Sequence, residues 1–104
     1  MALVARGDNR DSVTTNHLCD ATTTTDECSP DVFVCGYGVV RAGDNDASHL
    51  IGDDPPCSGH TVAMSASMST SVKANGNFIA MKNSGYGGEI ITTINAEQTT
   101  VFAT

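Results

Sequence analysis

Apolar residues in this chain come in short runs, and nowhere do they recur at helical spacing over three turns. Val32-Phe33-Val34, Val39-Val40, Phe78-Ile79, Ile90-Ile91-Thr92-Thr93-Ile94 and Val101-Phe102 are rich in β-branched or aromatic side chains, and Gly, Asn, Asp and Pro separate them. That pattern predicts short strands joined by turns. Leu, Glu, Lys, Gln and Arg, the strong helix formers, are scarce. Asn75-Gly76 reads as a two-residue hairpin, because a type I′ turn needs positive φ at both central positions. Cys35-Gly36-Tyr37-Gly38 is expected to play the same part. Thr22 to Thr25 suits an extended segment or a polar loop.

The two hairpins are copies of one pattern. Aligning Gly36 with Gly76 pairs Val32 with Val72, Val34 with Ala74 and Val40 with Ala80. A loop follows each, opened by Gly43-Asp44 and by Lys82-Asn83, and Val4-Ala5-Arg6-Gly7-Asp8 mimics Val40-Arg41-Ala42-Gly43-Asp44. Thr100-Val101-Phe102 restarts the hairpin. The chain is therefore a short internal repeat, and three similar loops suit a pseudo-threefold arrangement of hairpins within one domain spanning 1–104.

Composition adds a constraint. With three Phe, two Tyr and no Trp in 104 residues, little bulk is available for burial. A domain this small usually needs a disulfide, a metal or a partner subunit. The net charge of −7, with no cluster of Lys or Arg, argues against nucleic acid or an anionic membrane surface as partner. No stretch approaches the ~18 apolar residues of a membrane span, and no secretory signal pattern is present, so a soluble protein made in a cytosol is expected. Cys19, Cys28, Cys35 and Cys57 then favour metal ligation or inert thiols over disulfides, although their even number leaves disulfides open after delivery outside the cell.

His17, His49 and His60 and all four cysteines fall between residues 17 and 60. Three imidazoles and one thiolate make a closed tetrahedral zinc site, which is structural because no position remains for a catalytic water. Cys57-Ser58-Gly59-His60 is short enough to grip one ion through a tight turn. Two other readings stand beside it: exposed loop histidines with cysteines as small apolar fillers, and a nucleophile–base pair of Cys57 and His60. The second wants a preformed pocket that so small a chain has little material to build. Gly85-Tyr86-Gly87-Gly88 and Arg6-Gly7-Asp8 read as turns, Met64, Met68 and Met81 as core fillers, and Asp44, Asp46, Asp53 and Asp54 as solvated loop charge.

Taken together these residues resemble the PAAR-repeat proteins that sharpen the tips of contractile injection machines. The resemblance is carried by Val4-Ala5-Arg6-Gly7-Asp8, His17, Ser29-Pro30-Asp31-Val32-Phe33-Val34-Cys35-Gly36 and Val39-Val40-Arg41-Ala42-Gly43-Asp44. It continues through His49, Cys57, His60, Ser71-Val72-Lys73-Ala74-Asn75-Gly76, Phe78-Ile79-Ala80, Gly87-Gly88-Glu89-Ile90 and Thr100-Val101-Phe102. The resemblance implies a cone-like β fold gathered near its vertex by one structural zinc ion per chain, bound by His17, His49, His60 and a cysteine. Family members carry that cysteine just before Gly-Gly, where this chain has Tyr86, so Cys57 is favoured for the fourth position with Cys19 as its rival. Cys35 stands where the family has Asn, Lys82-Asn83 where it has Gly-Asp, and a Cys28–Cys35 disulfide is one use for the spare thiols.

The implied function is mechanical: a non-enzymatic tip that caps a trimeric central spike and touches the target cell envelope only in passing, without nucleic acid or small-molecule substrate. Val32, Val72 and Val101 are the expected spike-binding residues. The expected location is the virion, at the tip of a contractile phage tail assembled in the host cytoplasm, with a secretion-system spike as the alternative. The competing functional reading is a disulfide-stapled extracellular binding domain.

Overall fold

A computed structural model describes residues 1–15, 17, 19–51, 57–87 and 93–104. Among these residues every regular element is a strand, so the protein is all-β, as the sequence pattern predicts. No helix among them is long and apolar enough to cross a membrane. Ile90, Ile91 and Thr92 of the expected strand, and Asp53 and Asp54, lie outside the described residues.

Three two-stranded units carry the repeat. β1 (Ala2–Leu3) is met again at the end of the chain, as described below; β2 (Ser12–Thr14) and β3 (Thr22–Thr24) follow it. β4 (Phe33–Val34) and β5 (Tyr37–Gly38) form the first hairpin, with Val34 opposite Tyr37. β6 (His49–Ile51), β7 (Ser58–His60) and β8 (Met64–Ala66) come next. β9 (Lys73–Ala74) and β10 (Asn77–Phe78) form the second hairpin, with Ala74 opposite Asn77. Cys35 and Gly36 have φ of 49° and 83°, and Asn75 and Gly76 have 53° and 83°, so both turns place two residues in the left-handed region as a type I′ turn requires. β11 (Gly85–Tyr86), β12 (Thr93–Asn95) and β13 (Phe102–Ala103) complete the chain. The third unit is β13 paired with β1, Ala103 opposite Ala2 and Phe102 opposite Leu3. The restart at Thr100-Val101-Phe102 is thus completed by the first strand.

The three units share one set of hydrogen bonds. Val32 N–H donates to Ser29 Oγ at 2.9 Å, Val72 N–H to Ser69 Oγ at 3.0 Å and Val101 N–H to Gln98 Oε1 at 2.8 Å. Val39, Ile79 and Val4 donate in turn to the carbonyls of Val32, Val72 and Val101. At the centre the bonds close a ring: Ala5 N–H to Ala80 O at 3.1 Å, Ala80 N–H to Val40 O at 2.8 Å, and Val40 N–H to Ala5 O at 3.2 Å. Each unit sends one strand to this ring.

Side chains alternate across an extended backbone, so the ring strands feed two cores. Ala5, Val40 and Ala80 pack with Val13, Met64, Tyr86, Ile94 and Ala96. Their neighbours Val4, Val39 and Ile79 point the other way, onto Val34, Ala74 and Ala103. The first cluster is backed by a five-stranded sheet in the order β3-β2-β12-β11-β8. Met64 is buried in it, with Met68 packed against it and Met81 packed against the second cluster, as expected of core fillers. Thr22 to Thr24 form an extended segment.

The loops after the ring strands are held by their own first residues. Asp44 accepts from Arg41 N–H at 2.8 Å and grips its guanidinium through Nε at 3.0 Å and Nη2 at 2.9 Å. In the first unit Asp11 does the same work, accepting from Arg6 N–H at 2.6 Å and Nη2 at 3.0 Å. The sequence mimicry instead aligns Asp8 with Asp44. Asp8 is exposed at a positive-φ turn position, and two extra residues in this loop shift the acceptor role to Asp11. In the third unit Ser84 Oγ accepts from Met81 N–H at 2.8 Å with no charge involved.

Candidate metal centre

The β6–β7 ladder sets His49 directly opposite His60. Opposed residues of an antiparallel pair project from one face, and here the two Nε2 atoms lie 2.8 Å apart. Two nitrogens bound to one tetrahedral zinc stand about 3.3 Å apart, so a few tenths of an ångström separate this pair from a chelating geometry. His17 follows β2 and brings its ring to 5.6 Å from that of His49 and 5.4 Å from that of His60, centroid to centroid. One ring nitrogen from each of the three lies within 4.8 Å of the others, a spacing that can hold a metal ion. The expected grouping of His17, His49 and His60 is therefore present.

His49 is held in orientation by its own neighbours. Its Nδ1 lies 3.0 Å from the Ala47 carbonyl oxygen, which can only accept; the tautomer with its proton on Nδ1 satisfies that contact and presents Nε2 as the ligand atom. The buried Asp46 carboxylate stands 3.6 Å from the same Nδ1. Such outer partners fix the orientation of a ligating imidazole. Asp46 is itself anchored, Oδ1 accepting from Val62 N–H at 2.9 Å. The expectation of solvated loop charge fails for Asp44 and Asp46: both are buried, because each carboxylate satisfies backbone N–H groups that have no strand partner. Sequence reasoning missed Asp46 as a supporting residue; its position three before His49 was the available signal.

The loop carrying His17 is tied to β6. Thr15 N–H donates to Ala21 O at 2.9 Å, Thr15 Oγ1 to the Asp20 carbonyl, and Leu50 N–H to Asp20 Oδ2 at 2.9 Å. A disulfide joins Cys19 to Cys57 with their Cα atoms 6.3 Å apart, inside the range a bridge spans. The two cysteines weighed for one ligand position are thus bonded to each other, and neither is a thiolate in this structure. Cys57 is equally unable to serve as a nucleophile beside His60. Cys28 and Cys35, whose pairing the sequence leaves open, are both free thiols. Cys28 is packed against Gly7 and Gly38, and Cys35 occupies the hairpin turn with its thiol 3.8 Å from Gln98 Oε1. Burial, and then the Asp8 and Asp44 carboxylates, push the Cys28 thiol up from its ordinary pKa.

Tyr86 fills space. It is fully buried in the larger cluster, and its hydroxyl finds no hydrogen-bond partner among the described residues. Burial, followed by the fields of Asp46 and Asp44, holds the phenol far above its ordinary pKa.

The expected partner residues gather elsewhere, on the hairpin units. Val32, Val72 and Val101 occupy equivalent positions and are 40%, 40% and 37% exposed. With Val34, Val39 and Ile79 among others, they line an apolar depression of about 170 Å³. Apart from Met1 and Leu50, every large exposed hydrophobic among the described residues lies on these units, including Phe33, Phe78 and Phe102.

No model of a known protein family matches this chain, and no curated protein matches it.

Proposed function

We propose that the protein is a non-enzymatic tip that caps a trimeric central spike, as in the PAAR-repeat proteins it resembles, with its body stiffened by one zinc ion on His17, His49 and His60. The observation that carries this reading is the threefold equivalence of Val32, Val72 and Val101, nearly equal in exposure around one apolar face. Three chains related by a threefold axis meet such a face with one contact each. Among the described residues the hairpins are two-stranded, and their outer edges offer the same partner backbone groups to extend. A metal bound on folding supplies rigidity that a core with no Trp, and with all three Phe left exposed, does not. The cone shape, the virion location at a phage-tail tip and the passing contact with a cell envelope belong to this proposal.

Mixing the purified chain with a matching trimeric spike protein tests the reading. Co-elution at one chain per trimer is expected, and Val72→Glu with Val101→Glu abolishes it; wild-type chain that never co-elutes overturns the assignment. For the metal, elemental analysis is expected to return one zinc per chain. A saturating excess of ~1,000 Kd adds ~4 kcal/mol of stability, and His49→Ala removes that gain.

A second reading, a disulfide-stapled binding domain working outside the cell, is favoured by the Cys19–Cys57 bridge. Purified protein with two free thiols and no bound metal supports it over the spike tip.

A further inference from the structure

The disulfide is close to the imidazole cluster in sequence on both of its arms. Cys19 is two residues from His17, and Cys57 is three residues from His60. An extended chain spans at most about 3.5 Å per residue, so the two Cα atoms lie within about 7 Å and 10 Å of those of the neighbouring ligands. Cys19 and Cys57 are both half-buried, which leaves the bridge open to a small reductant. The other two cysteines sit apart: Cys28 against Gly7 and Gly38, Cys35 beside Gln98 and Thr100.

We propose that the Cys19–Cys57 disulfide is a redox gate on the ligand set of this site, resting on the three-histidine reading above. With the bridge closed, the protein offers three imidazoles and leaves a fourth position to an exogenous donor. When a dithiol reductant opens it, the S–S bond takes up two electrons and two protons and gives two thiols, while the reductant becomes a disulfide. One of the two then gives up its proton to solvent on binding the metal and completes a tetrahedral set of three nitrogens and one sulfur. Thiolate is a softer donor than the exogenous ligand it displaces, and a closed set exchanges its metal more slowly. Bound metal in turn shields that thiolate from reoxidation. The same two residues therefore staple the fold in an oxidising setting and close the metal shell in a reducing one.

Cobalt(II), a spectroscopic stand-in for zinc, reads the gate. Under denaturing conditions the oxidised protein should show two free thiols, from Cys28 and Cys35, and four after reduction. The reduced protein should bind cobalt with a thiolate-to-metal charge-transfer absorption, and at least about tenfold more tightly than the oxidised protein, which should bind without that absorption. Cys19→Ser and Cys57→Ser, made separately and together, should identify the ligand, the double variant lacking the absorption whether reduced or not. Should the variants fail to fold, the comparison of oxidised and reduced wild type decides alone. Equal affinity and identical spectra in both forms overturn the gate while leaving the three-histidine site standing. Cobalt bound by neither form overturns the site itself.

Discussion

Replacing Asp11 by alanine isolates the interaction that distinguishes the folded repeat from the repeat read in the letters. Asp11 is fully buried and accepts from Arg6 N–H, Arg6 Nη2 and Glu97 N–H at 2.6, 3.0 and 3.2 Å. Arg6 is buried too, so removing the carboxylate strands a guanidinium and two backbone donors away from water. Breaking one partner of a buried pair costs ~3–5 kcal/mol, a large part of the ~5–15 kcal/mol that holds a domain together. With a urea slope of ~1.5 kcal/mol/M, the unfolding midpoint should fall by roughly 2–3 M, read by circular dichroism with the disulfide intact. Asp8→Asn, at the exposed position that sequence mimicry aligns with Asp44, should move stability by less than ~0.5 kcal/mol. Pairing Asp11→Ala with Arg6→Met, the residue type that Met81 supplies in the third unit, should restore part of the loss through a coupling of at least ~1.5 kcal/mol. Equal effects of Asp11→Ala and Asp8→Asn, or a loss under ~1 kcal/mol for Asp11→Ala, would refute the reasoning.

Tyr86→Phe should stabilise the protein by up to ~1 kcal/mol at neutral pH, because it removes a buried hydroxyl with no partner among the described residues. It should also flatten the alkaline limb of stability: the native phenol pKa is raised, so its stabilisation is complete below the unfolded value of ~10 and drains by up to ~1.4 kcal/mol per pH unit above it. Urea titrations of wild type and variant between pH 8 and pH 11.5 check both, and matching slopes would refute the assignment. Gly38→Ala should cost more than ~2 kcal/mol, since a Cβ there overlaps the Ser29 carbonyl oxygen, whereas Gly59→Ala, with only Ser48 Oγ at 3.9 Å, should be within ~0.5 kcal/mol of wild type. Reducing the disulfide in metal-free protein opens a 38-residue separation and should cost ~4 kcal/mol by calorimetry, a cost that zinc should offset in the reduced form.

The hairpins were legible because their signals are local. Asn75-Gly76 names a turn type, and the match of Val32, Gly36 and Val40 to Val72, Gly76 and Ala80 is a match of period and turn together. The histidine cluster was legible by inventory, with three imidazoles confined to one stretch. What stayed hidden depends on reach rather than residue type. Gln98 does for Val101 what Ser29 and Ser69 do for Val32 and Val72, and nothing in the letters equates a glutamine amide with a serine hydroxyl. Asp11 replaces Asp8 through an insertion of two residues that letter matching crosses in the wrong register. Cys19 and Cys57 meet where Asp20 and Leu50 join the His17 loop to β6, a contact between segments 30 residues apart.

The acidity that first served only to exclude partners has a structural share. Asp11 and Asp44 answer Arg6 and Arg41, and Asp46 answers the Val62 amide and His49, so three carboxylates act inside the fold as acceptors for loop donors. Two of the five cations are consumed in the same pairs, leaving Arg10, Lys73 and Lys82 against the remaining acids and a surface that stays negative. A chain with little bulk to bury thus orders its loops by charge and hydrogen bonding around a ring of Ala5, Val40 and Ala80, positions where small side chains let three backbones meet. The scarcity of aromatics and the wealth of Asp are two sides of that solution. A larger residue at the ring would part the strands, and without the buried aspartates the amides of Arg6, Arg41 and Val62 would lose their acceptors.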